Sequence, residues 1–132
     1  MNERILVVHP VNNMVRLIQF ALERQGYQVE SAASGVEALG LAAQNRPDLL
    51  IAYENMPILS GSELIDSLRR EPALATLPAI LIRPGRHGGE SQFRAVTNEE
   101  REMLTMELPQ PFNPAEVVAF AGRLLGKTSQ PV

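Results

Sequence analysis

Short apolar runs alternate with segments of helical periodicity along most of this chain, and this alternation limits the possible folds more than any other feature. Residues 5–8, 48–53 and 78–82 are almost continuously apolar, as expected of strands that are covered on both faces. Residues 27–31 indicate a more exposed strand, and residues 104–109 supply a fifth. Strands that alternate with helices are typical of βα units on a parallel sheet.

Capping signals mark where the intervening helices begin and end. Asn12 or Asn13 can cap a first helix that stops at Gly26, and Ser34 opens a capping box for a second helix. A third helix follows residue 61 and ends before residue 72, and Asn113 precedes a proline at the first position of the last helix.

Five strands and four or five helices in a chain of 132 residues predict one α/β domain over residues 1–126. The expected architecture is a three-layer, doubly wound, parallel five-stranded sheet with the flavodoxin-like order 2-1-3-4-5. Its fourth crossover is irregular, because residues 83–96 are rich in glycine and favour a long, mobile loop. Thr97 and Glu100 indicate a short helix after that loop, and residues 127–132 are interpreted as a tail or linker.

Composition excludes several kinds of function. Lys and Arg total 12 against 15 Asp and Glu, so the net charge of −3 argues against direct binding to nucleic acid. The chain has no Cys, which excludes disulfides, thiol nucleophiles and thiolate metal sites. No apolar run is long enough for a bilayer, and the first residues lack the pattern of a signal peptide, so we expect a cytoplasmic location and no membrane contact.

Sites in doubly wound sheets lie beyond the carboxyl ends of the strands. The residues at that edge include His9 and Pro10 after the first strand, Tyr53 at the end of the third, Arg83 after the fourth and Gln110 after the fifth. At these positions, over residues 4–126, the chain resembles the receiver domain of bacterial response regulators. The resemblance is carried by the run PDLLIAYENMP with Gly61, by Gly26-Tyr27, by Ser34-Gly35 with Ala38-Leu39, and by Gln110-Pro111-Phe112.

The resemblance implies a phosphoacceptor chemistry whose residues this chain does not have. In the family, an acidic pair after the first strand and an Asp at the end of the third hold Mg²⁺, and that Asp accepts a phosphoryl group. A Ser or Thr after the fourth strand and a Lys after the fifth then bind the phosphoryl group. The corresponding residues here are His9 and Pro10, Tyr53, Arg83 and Gln110, and only Asn55 of the metal-binding positions is retained.

These replacements predict that the chain binds no Mg²⁺ and no cofactor and is not an enzyme. Mg²⁺ requires hard oxygen ligands, and a phenol stays protonated at neutral pH. We expect Tyr53 to be a packed aromatic residue with a hydrated hydroxyl, modification by another enzyme being the less favoured alternative. We expect His9 to be a neutral, hydrogen-bonded imidazole that fills the former acidic pocket, in preference to a metal ligand.

Two further expectations concern the neighbouring strand ends. Glu107 occupies the place of the family's switch aromatic residue, so Arg83 and Glu107 are predicted to form an ion pair across the former switch. By resemblance to the family, the Gln110–Pro111 peptide bond is expected to be cis. Arg83, Arg86 and His87 form an alternative site for an anion, although their spacing matches no phosphate-binding loop.

The function predicted from the sequence is that of a degenerate receiver domain in two-component signalling. It would act without phosphorylation as a protein-interaction module, with a fused output domain or a second copy of the chain among the candidate partners. The alternative is a sensor of anionic small ligands that uses residues 83–87.

Overall fold

The computed structural model describes residues 3–84, 94–96 and 105–126. Within them, strands and helices alternate as the sequence predicts. The strands are β1 (Arg4–Val8), β2 (Gln28–Ala32), β3 (Leu49–Tyr53), β4 (Ala79–Arg83), β5 (Arg94–Val96) and β6 (Thr105–Pro109). The helices are α1 (Asn12–Glu23), α2 (Gly35–Gln44), α3 (Gly61–Arg69) and α4 (Pro114–Leu124), with one 3₁₀ turn at Pro72–Leu74.

One sheet contains all six of these strands, in the order β2-β1-β3-β4-β6-β5. The first five strands of that order run parallel and confirm the predicted flavodoxin-like arrangement. The sixth strand, β5, differs from the prediction of a five-stranded sheet. β5 pairs antiparallel with β6, with Arg94 opposite Glu107, so residues 94–96 form an edge strand where the sequence favoured a loop. The predicted helix at Thr97 and Glu100, and the predicted tail at 127–132, lie outside the described residues.

Helices cover both faces of the sheet and create two apolar cores. On one face, α2 and α3 pack over side chains such as Leu6, Leu50 and Leu81. On the other face, α1 and α4 pack over side chains such as Ile5, Ile51 and Ile80. Because neighbouring residues of a strand point to opposite faces, each buried strand must be apolar throughout, which accounts for the continuous runs in the sequence.

Two of the three predicted caps in the described part of the chain lie where the sequence places them. Asn113 forms a complete capping box. Ser34 accepts a hydrogen bond from the backbone N–H of Glu37, but its predicted box is incomplete, because the Glu37 carboxylate accepts from the backbone N–H of Ala33. Ser60, which the sequence analysis does not identify, forms a second complete capping box. The prediction of Asn12 or Asn13 as the cap of α1 is wrong, because Val11 occupies the cap position without a side-chain hydrogen bond. No helix in the described part of the chain is long and apolar enough to cross a membrane.

Candidate functional site

The candidate site lies at the carboxyl edge of the sheet, where the parallel register brings four strand ends together. The backbone N–H of His9, after β1, donates to the carbonyl of Ala32 at the end of β2, 3.1 Å away. The backbone N–H of Gln110, after β6, donates to the carbonyl of Arg83 at the end of β4, 2.8 Å away. These bonds continue the ladders beyond the strands and fix where the side chains of His9 and Gln110 begin.

His9 is the centre of the site and is buried, with 2% of its surface exposed. Its Nδ1 accepts the backbone N–H of Val11 at 3.1 Å, and its Nε2 lies 3.1 Å from Oε1 of Gln110. A ring nitrogen that accepts an N–H carries no proton of its own, so the hydrogen-bond pattern assigns the proton of the neutral ring to Nε2. That proton is donated to Gln110, and the two side chains bridge residues 101 positions apart in the sequence.

The electrostatics of the site favour this neutral ring. Burial lowers the pKa of His9 below its ordinary value, and the hydrogen bond to Gln110 opposes that shift only in part. A second proton on Nδ1 would also meet the N–H of Val11, so protonation removes one hydrogen bond as well as placing a charge in the interior. The ring therefore acts as a neutral connector between β1 and β6 at pH 7.

Tyr53 covers His9 from the end of β3. The two ring centroids are 4.3 Å apart and the ring planes are inclined by 30°, which is a stacked arrangement. Tyr53 is half-buried and packs against both apolar cores. The aromatic ring thus closes the space above the sheet edge, next to the imidazole.

The carboxylate nearest to this pair in the sequence is used elsewhere. Oε1 of Glu54 accepts hydrogen bonds from the backbone N–H of Ser62 at 2.9 Å and from the hydroxyl of Ser62 at 2.7 Å. The Glu54 side chain therefore joins the end of β3 to the first turn of α3. Sequence alternation predicts that Glu54 points away from Tyr53 but does not indicate its partner, because Ser62 is identified only once the start of α3 is placed.

A close approach of α3 to β3 also shapes the site. A Cβ atom built on Gly61 would lie 2.6 Å from the carbonyl oxygen of Tyr53 and 2.8 Å from Cδ1 of Leu81. Only a residue without a side chain lets the helix start this near the strand end. Residue 61 thereby fixes the loop that carries Glu54 and Asn55, and Asn55 itself is exposed.

Arg83 and Glu107 lie on neighbouring strands, with Nη1 of Arg83 3.7 Å from Oε2 of Glu107. The Arg83 side chain is 44% exposed and that of Glu107 is 24% exposed, so solvent screens much of their attraction. The Gln110–Pro111 peptide bond beside them is cis. Arg86 and His87, the other two residues of the candidate anion site, lie outside the described residues.

The donors at this edge do not fit Mg²⁺, which takes six oxygen ligands in near-octahedral geometry. Both nitrogens of His9 are already hydrogen-bonded, Pro10 offers no side-chain donor, and the Glu54 carboxylate is held by Ser62. Within residues 3–84, 94–96 and 105–126, no group of three or more His, Cys, Asp or Glu side chains is placed to hold a metal ion.

Known proteins with similar sequences and structures identify the scaffold that carries this site. The family model for the response regulator receiver domain matches residues 5–105. The alkaline phosphatase synthesis transcriptional regulatory protein PhoP of Bacillus subtilis is 32% identical over 97% of this chain and 50% of its own length. The response regulator MprA of a Mycobacterium species is 35% identical over 96% of this chain and 52% of its own length.

A solved structure agrees with these relatives. The chemotaxis response regulator CheY4 of Vibrio cholerae superposes with a TM-score of 0.76 at 26% identity, covering 95% of this chain and 100% of CheY4. The present chain spans about half the length of the curated relatives named above. With a family model that covers most of its length, the chain belongs to the response regulator receiver domain family.

Proposed function

We propose that this receiver domain works in two-component signalling without accepting a phosphoryl group, as a protein-interaction module that binds its partner in a single conformation. The observation that supports this most is the His9–Gln110 connection. A neutral, buried imidazole with both nitrogens hydrogen-bonded occupies the place where a receiver needs charged oxygen ligands. The domain then has neither the cation nor the carboxylate nucleophile that phosphoryl transfer would use.

The contact between Arg83 and Glu107 supports the single conformation. It joins β4 to β6 at the position where the family's switch operates, and both side chains belong to regular strands. Because the Arg83 side chain is 44% exposed, we assign the pair a positional role and expect it to add little to overall stability. A partner that binds at the carboxyl ends of β4 and β6 would contact this pair, whereas the single conformation depends mainly on the His9–Gln110 connection.

The proposed partner is a protein, either a fused output domain or a separate chain, and the proposed location is the cytoplasm. The net charge of −3 leaves no surplus of cations for direct binding of this domain to nucleic acid. The anion-sensor alternative has less support, because the Arg83 guanidinium already lies beside the Glu107 carboxylate, which would compete with an incoming anion.

A phosphorylation assay with a restored control tests this proposal. The chain would be incubated with Mg²⁺ and acetyl phosphate and its intact mass measured, alongside a variant that carries His9→Asp, Pro10→Asp, Tyr53→Asp, Arg83→Thr and Gln110→Lys. We expect no mass increase for the wild-type chain. A phosphoryl adduct on the wild-type chain would overturn the proposal.

The restored variant shows whether the scaffold alone is competent. Circular dichroism would first establish that the variant is folded. A phosphoryl adduct on the folded variant would support the view that the five side chains, and not the scaffold, account for the inactivity of the wild-type chain. A variant that folds but stays unmodified would contradict that view.

A further inference from the structure

The outward face of α1 carries two large apolar side chains in solvent. Leu17 is 43% exposed and Phe20 is 63% exposed, whereas Val15, Ile18 and Leu22 on the inward face are buried. Residues three apart on a helix lie side by side, so Leu17 and Phe20 form one continuous patch. The guanidinium of Arg24 lies 5.7 Å from the centre of the Phe20 ring, at one end of the patch.

Opposite charges flank this patch along the helix. Arg16 and Glu23 are both exposed, and they lie four residues before and three residues after Phe20. At 1.5 Å per residue they are separated by about 10.5 Å along the axis, and Phe20 lies within about 1 Å of the midpoint. At the spacings i, i+4 and i+7, all three side chains occupy the same side of the helix.

We propose that α1 pairs with α1 of a second copy of this chain in an antiparallel, two-fold symmetric arrangement centred between Gln19 and Phe20. Such a pair places Arg16 opposite Glu23 of the second copy, and Glu23 opposite Arg16 of the second copy, while the two Phe20 rings meet at the axis. A parallel pair would instead set Arg16 beside Arg16 and Glu23 beside Glu23. The order of Arg16 and Glu23 is therefore self-complementary and favours a second copy of this chain in the antiparallel direction, while Arg24, next to Glu23, lies over the Phe20 ring of its own helix.

This inference deepens the proposed function by naming the partner, and it rests on that function in one respect: a module without a phosphoryl switch pairs constitutively. The 12 residues of α1 span about 18 Å. A contact of that length buries less than the ~800 Å² per partner of a standard interface. We therefore expect a dimer with a micromolar dissociation constant.

The oligomeric state tests the inference. Sedimentation velocity of the wild-type chain over a range of micromolar concentrations should show a reversible monomer–dimer equilibrium. Phe20→Gln should abolish the dimer, and Val36→Gln, which alters a 53% exposed side chain on α2, should leave it unchanged. A wild-type chain that stays monomeric at high micromolar concentration, or a dimer that survives Phe20→Gln, would overturn the inference.

Charge reversal tests the antiparallel direction. Arg16→Glu and Glu23→Arg should each yield monomers, because each sets like charges opposite one another at both ends of the pair. An equal mixture of the two variants should dimerise, because every facing pair is then of opposite charge. A mixture that remains monomeric while the wild-type chain dimerises would contradict the proposed direction.

The same experiment separates this inference from the proposed function. Addition of Mg²⁺ and beryllofluoride should leave the dimerisation constant unchanged. A dimer that forms only with these reagents would contradict the proposed independence from phosphorylation but not the pairing through α1. A wild-type chain that stays monomeric would contradict the pairing through α1 and leave the proposed function unaffected.

Discussion

Ile58 adopts an unusual backbone conformation, and its replacement offers a quantitative test of the structure. It is a β-branched residue with a φ of 68° in the loop between β3 and α3, and it is 86% exposed. The left-handed region costs an L-residue about 1–2 kcal/mol, whereas glycine enters it without that penalty. Since so little of the Ile58 side chain is buried, its removal gives up almost no packing.

The expected gain for Ile58→Gly follows from two opposing terms. Relief of the left-handed conformation contributes about 1–2 kcal/mol, and the larger conformational entropy of glycine in the unfolded chain takes back about 0.5–1 kcal/mol. The net stabilisation is about 0–1.5 kcal/mol, and its midpoint, about 0.75 kcal/mol, corresponds to a rise of roughly 2–4 °C in the melting temperature for a domain of this size.

Urea denaturation of three proteins would measure the effect. Ile58→Gly should be more stable than the wild-type chain, and Ile58→Ala, which keeps a Cβ atom, should gain much less. Asn also tolerates the left-handed region, so Ile58→Asn should lie between them. If glycine proved no more stable than alanine at this position, the assigned backbone conformation of residue 58 would be wrong.

Three further predictions concern the edge of the sheet. Burial lowers the pKa of His9, so the unfolded chain binds more protons than the folded chain once the pH falls below about 6.5. The stability of the wild-type chain, measured by urea denaturation at several pH values, should therefore decrease more steeply than that of His9→Asn as the pH is lowered; parallel profiles would contradict this. Gly61→Ala should destabilise the domain by about 1–3 kcal/mol, since its Cβ would lie 2.6 Å from the carbonyl oxygen of Tyr53. The control Gly40→Ala, in open space on α2, should stabilise it by about 0.5–1 kcal/mol in thermal denaturation; the reverse order would refute the close approach. Glu54→Ala removes two hydrogen bonds to the start of α3 and should cost about 1–2 kcal/mol in urea denaturation, with an unchanged midpoint as the contrary result.

The parallel strands could be predicted because each is a continuous apolar run with a loop signal on both sides. β5 could not. Arg94, Ala95 and Val96 have neither the length nor the alternation of a strand, and their conformation depends on pairing with β6. The prediction of the α1 cap is wrong for a similar reason. Val11 is stabilised through its N–H bond to the side chain of His9, a contact that local capping preferences do not describe.

The candidate site shows the same division between local and distant information. Resemblance to the family places His9, Tyr53 and Gln110 at the same edge, because each lies at or just after the end of a recognisable strand. The individual contacts depend on the fold. The hydrogen bond from His9 to Gln110 joins residues 101 positions apart, and the stacking of Tyr53 on His9 depends on the order of strands in the sheet. No local pattern in the sequence indicates either contact.

The most direct test of the central claim is a titration of the isotopically labelled chain with Mg²⁺ and then beryllofluoride, followed through its backbone amide resonances. We predict no saturable change at residues 9, 53, 55 and 110, whose side chains or backbone would face a bound cation or phosphoryl group. A saturable, site-specific shift at these positions would contradict the claim that this receiver edge has lost its cation and phosphoryl chemistry.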